Sequence, residues 1–116
     1  MLDMSLGTCY CNPMTIRTTR ESARWAKEIA RRIISEHRED SAIPIMTQIL
    51  TCETQKAITI AFYFVLSMMQ FARTPKQAKV ALYLYHEYMP TCAAPFMHIL
   101  NRAERELRFR RFNKKY

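Results

Sequence analysis

Between Lys56 and Arg73 the chain carries no charge, and residues 57–72 read AITIAFYFVLSMMQFA. No other stretch is as apolar, so whatever this chain folds into must hide this run. A membrane span needs roughly 20 apolar residues. This run has sixteen and includes Thr59, Ser67 and Gln70. A buried central helix over 57–73 fits the length better, because neighbouring stretches with one apolar face can pack on it. Phe62, Tyr63 and Phe64 would cover much of that helix's circumference, more than four short neighbours would shield. The expectation is therefore a homodimer whose seam is Phe62, Tyr63, Phe64 and Met68.

Glycine decides the fold class. Gly7 is the only one in 116 residues, against an average usage of about 7%. Hairpins and phosphate-cradling loops rely on glycine because it takes positive φ without strain. Its scarcity points to helices joined by Pro, Thr and Ser turns. The apolar share of 49% is ordinary for a globular chain, and the length suits one domain. The expected fold is all-α, a compact bundle of about five short helices around the buried central one. Residues 1–16, with Gly7, Asn12 and Pro13, read as a turn-rich arm, 17–108 as the helical domain and 109–116 as a basic tail.

Capping residues place the helices. The sequence TTRE is a capping box opening a helix from Thr18 to about Arg38. On it Ser22, Trp25, Ala26, Ile29, Ala30, Ile33 and His37 share one face, and Arg20, Arg24, Lys27, Arg31 and Arg38 nearly the opposite one. Ser41 and Pro44 start a shorter helix with an apolar edge of Ile45, Met46, Ile49 and Leu50. Thr51 or Thr54 recaps the central helix. The sequence TPKQ is a second capping box, with Pro at the first helical position, for a helix from Pro75 to Met89. Ala78, Ala81, Leu82, Tyr85 and Met89 form its inner face. Thr91 and Pro95 open the last helix, striped by Phe96, Ile99, Leu100, Ala103 and Leu107. Beyond Leu107 the sequence RFRRFNKKY is expected to fray.

The net charge is +8, and fourteen of the 18 basic residues lie in Arg17–Arg38 and Arg102–Lys115. Such an excess favours anionic partners. Arg20, Arg24, Lys27 and Arg31 form a row about 16 Å long at helical rise. A row like that can follow phosphates without reading bases. Arg108, Arg110, Arg111, Lys114 and Lys115 would add a second clamp, and Phe109, Phe112 and Tyr116 could stack on exposed bases.

Other chemistry has little to build on. Cys9 and Cys11 form a CxC, and Cys52 and Cys92 supply no second pair at finger spacing, so no metal site is expected. His37, His86 and His98 fall on three different helices, and no GxSxG, HExxH or glycine-rich phosphate loop occurs. Neither an enzyme nor a cofactor is expected. The start, MLDMSLGTCYC, lacks the basic and apolar regions of a signal peptide. With unpaired cysteine spacing, that favours an intracellular setting, cytoplasmic or nuclear. In composition (one Gly, eight Met, many Arg) the chain resembles small viral accessory proteins, whose codons are constrained by a second reading frame. That resemblance implies RNA binding or obstruction of a host factor. The expected function is nucleic-acid backbone binding, by RNA or duplex, through the basic stripe. The alternative is a protein-interaction module engaging an acidic or apolar partner surface.

Overall fold

In the computed structural model, which describes residues 19–51, 55–90 and 96–112, the described chain is helical and contains no strand. The elements are α1 (Thr19–Ser35), a 3-10 turn (Glu39–Ser41), α2 (Ala42–Leu50), α3 (Gln55–Phe71), α4 (Pro75–Tyr88) and α5 (Met97–Phe109). The arm, Thr18 of the first capping box, Thr54, Thr91, Pro95, Lys114, Lys115, Tyr116 and all four cysteines lie outside the described residues. The radius of gyration is 13.4 Å, the value for a compact chain of this length.

The apolar run is the organiser. Helix α3 packs along α1 and also touches α2, α4 and α5. Ala57, Ile60, Ala61, Phe64, Val65, Met68 and Met69 are all buried. They recur at three- and four-residue intervals, so they make one broad stripe. Phe62 lies off that stripe and is covered separately, by the ring of Phe96 stacked at 4.2 Å. The expected dimer seam is corrected here. Phe64 and Met68 are 0% exposed and Phe62 is 4% exposed, leaving only Tyr63 half-buried. For Phe62, the residue just before α5 does within one chain what a second copy was expected to do. Among the described residues, no helix is long and apolar enough to cross a membrane.

On α1, Trp25, Ala26, Ile29, Ala30 and Ile33 face inward as expected, joined by Ile34. His37 does not. The helix stops at Ser35, and His37 has φ 55°. The Arg38 amide donates to the Ile33 carbonyl at 2.8 Å and the His37 amide to that of Ile34 at 3.4 Å. This 6→1 and 5→2 pair is a Schellman ending, whose left-handed residue is usually glycine. A histidine there bears a steric cost of roughly 1–2 kcal/mol. Its imidazole is 70% exposed and stands 3.4 Å from Glu39 Oε2, so its removal relieves the strain at the expense of one solvated contact. His37→Gly should stabilise the protein by about 0.5–1 kcal/mol. A thermal melt checks this, and an unchanged or lower midpoint would contradict the assignment.

Helix α4 begins as its sequence predicts. Thr74 is extended and its hydroxyl accepts the Gln77 amide at 3.1 Å, with Pro75 at the first helical position. The side chain of Gln77 departs from a capping box, accepting instead from the Arg73 amide at 2.9 Å. Its Nε2 donates to the Ile34 carbonyl at 2.9 Å and to Glu39 Oε2 at 2.8 Å. Gln77 is 0% exposed. One buried amide thus ties the end of α1, the 3-10 turn and the start of α4 together.

Candidate nucleic-acid interface

Four cations at three- and four-residue spacing stand on the outer side of α1 because Trp25, Ile29 and Ile33 hold the other side in the core. Arg20, Arg24, Lys27 and Arg31 are exposed. Arg20, Arg24 and Lys27 have no acidic group within 4.0 Å among the described residues. Arg31 is different, since its guanidinium pairs with Glu28, one contact being Nε to Oε1 at 3.1 Å. Both partners are partly solvated and the contact is two-pronged, so a further anion meets Arg31 only by displacing Glu28. Arg38 leaves the stripe. The turn at His37 ends the helical register, and Arg38 Nε pairs with Glu36 at 2.8 Å.

Past Leu107 the chain stays on the fold through Phe112, against the expected fraying. Helix α3 has no basic residue in its last turn, and Arg110 supplies one from outside. Its Nη1 donates to the carbonyls of Met69 at 3.2 Å and Ala72 at 2.9 Å. Those groups have no partner within the helix and carry its negative dipole end, so a cation there is favourable. Phe112 packs against the core. Arg108 bonds Glu104 Oε2 through Nε at 3.1 Å and Nη2 at 2.8 Å. Of the expected second clamp, Arg110 is thus engaged in structure and Arg108 in an ion pair. Arg111 is exposed.

Glu104 is also bonded to His86 Nε2 at 2.7 Å, joining α5 to α4. Burial pushes the Glu104 carboxyl up, but the Arg108 and His86 hydrogen bonds and charges outweigh it and hold it below 4.5. Beside it the Tyr85 hydroxyl donates to Asn101 Oδ1. Burial and the Glu104 charge both push that phenol above 10.0. Of the carboxylate's bonds, that to Arg108 lies within α5 and that to His86 fastens α5 to α4. His37 sits at the far end of α1 and His98 is exposed on α5. The described residues hold no group of three His, Cys, Asp or Glu that could bind a metal ion.

Sequence reasoning passed over Arg102 and Arg105, both exposed. Their signal was available, since they recur at helical spacing opposite the buried Leu100, Ala103 and Leu107. A cleft of about 440 Å³ at the end of α1, lined by His37, Arg73, Thr74, Pro75 and Lys76, adds two cations and an imidazole. Compared with known protein families, with curated proteins and with solved structures, the chain matches none.

Proposed function

We propose that this protein is a non-enzymatic helical module that binds nucleic-acid backbone, RNA or duplex, through the outer face of α1. The observation that carries the reading is the row of Arg20, Arg24 and Lys27, exposed and without acidic partners among the described residues. Arg31 extends the row once a phosphate replaces Glu28. Guanidinium and ammonium groups on a rigid helix meet phosphates without reading base edges, so affinity falls with salt and sequence preference is weak.

Replacing Arg24, Lys27 and Arg31 together with Ala should abolish the gel-shifted band of an RNA or DNA duplex at physiological salt. All three side chains are exposed, so helical circular dichroism should not change. Three lost phosphate contacts should flatten the log K against log salt plot by a slope of about 3. Undiminished binding by the triple variant would sink the reading.

A second reading is an acidic or apolar partner protein. It is favoured by Ile43 and Tyr83, 41% and 46% exposed, beside a cleft of about 410 Å³ that Asp40, Lys79 and Val80 also line. Excess heparin separates the two, because it should displace a nucleic acid but leave a partner seated on Ile43 and Tyr83.

A further inference from the structure

The described tail has two phenylalanines, and the fold treats them oppositely. Phe112 packs against the core, whereas Phe109 is 84% exposed, the most exposed large apolar side chain in the described chain. A single exposed aromatic is unremarked on most surfaces. Here its company gives it a use.

At 100° per residue, His98, Arg102, Arg105 and Phe109 fall within about 60° of one another, opposite Leu100, Ala103 and Leu107. All four are exposed. Their spacing is that of Arg20, Arg24, Lys27 and Arg31 on α1, but with an aromatic ring at each end and two guanidinium groups between. Arg105 has no acidic group within 4.0 Å among the described residues. Arg102 has only Glu106 at 3.6 Å, with both side chains more than 60% exposed, a geometry that holds an arginine weakly.

We infer that this face of α5 is a stacking platform for unpaired nucleobases, so that the protein takes single-stranded nucleic acid there. The inference deepens the proposed function and rests on it. Arg102 and Arg105 neutralise the backbone, and the ring of Phe109, with His98 at the other end, receives base faces. Base–aromatic stacking is indifferent to base identity but requires an unstacked base, which a duplex does not offer. Charge complementarity brings the strand, and the ring selects its single-stranded form.

Fluorescence anisotropy with a labelled 20-nucleotide mixed-sequence RNA, single-stranded or annealed to its complement, tests the full chain. Phe109→Ala should weaken single-strand binding roughly tenfold and leave duplex binding unchanged. Phe109→Trp should restore it, since another aromatic ring stacks equally well. Arg102→Ala with Arg105→Ala should weaken single-strand binding and reduce its salt dependence. Wild-type single-strand affinity in Phe109→Ala, or an equal loss on the duplex, overturns the platform. If duplex binding still depends on Arg24, Lys27 and Arg31 in that case, the α1 reading stands alone. If the unaltered protein binds neither form, both fall.

Discussion

Replacing Phe64 with Ala should lower the free energy of unfolding by about 3–5 kcal/mol. Phe64 is 0% exposed at the middle of α3, against the stripe of Ile60, Val65 and Met68. Removing its ring forfeits the transfer of an aromatic side chain from water and leaves a cavity that α1 and α5 cannot fully close. A domain of this size is stabilised by roughly 5–15 kcal/mol in total, so the variant should sit near its unfolding threshold at 37 °C. Urea denaturation at two protein concentrations makes the test specific. A core role lowers the midpoint equally at both concentrations. A midpoint that depends on concentration, or a loss below about 1 kcal/mol, would instead favour a surface role at a subunit seam.

Gln77→Leu should cost nearly as much, about 3 kcal/mol, without removing any apolar contact. Leucine has similar bulk but cannot donate to the Ile34 carbonyl or Glu39, nor accept from the Arg73 amide. Glu39 is the critical partner, with its side chain only 6% exposed. Lys76 Nζ at 3.8 Å would remain as its counter-charge, with His37 Nδ1 beside it at 3.4 Å. Both are at the edge of solvent, so the carboxylate would be left poorly paired. The midpoint of thermal unfolding should fall by about 12 °C, at some 4 °C per kcal/mol. Adding Glu39→Leu to the variant should recover part of the loss, because it removes the stranded charge.

The same residue sets a pH dependence. Burial pushes the Glu39 carboxyl up, but the Gln77 hydrogen bond, its own backbone amide, Lys76 and His37 together carry it below 4.5. A carboxyl with a depressed folded pKa stabilises the fold above its unfolded value and loses that contribution as pH falls through the folded one. Stability should therefore decline in acid below about pH 4.5 in the natural protein. In Gln77→Leu that decline should flatten, since burial without the bond favours the neutral acid.

The parts of the fold that were legible are those written in local spacing. The stripe on α1, the Thr74-Pro75 start of α4 and the apolar excess of 57–72 each depend on residues within a few turns of one another. Helix ends were less legible. A helical wheel carried through to Arg38 puts His37 inside and Arg38 on the basic row, yet a left-handed residue at His37 moves both. Only one glycine occurs in the chain, so a C-terminal signal was missing where the Schellman turn forms. The tail misled for a different reason. RFRRFNKKY reads as solvated charge, and nothing near it in sequence says that Arg110 is needed by carbonyls some forty residues earlier.

By itself, the sequence determined an all-helical fold, which run lies at its centre, and that Arg20, Arg24, Lys27 and Arg31 share one face of α1. Apolar periodicity and capping act over a few residues, so these follow without knowledge of neighbours. Only the tertiary structure decided that Phe62, Phe64 and Met68 are covered within one chain, that Gln77 holds a buried carboxylate, and that Arg110 closes α3. Each of these depends on groups distant in sequence meeting in space. Burial, dipole and hydrogen-bond demands at such meetings are set by the partner, which local spacing does not name.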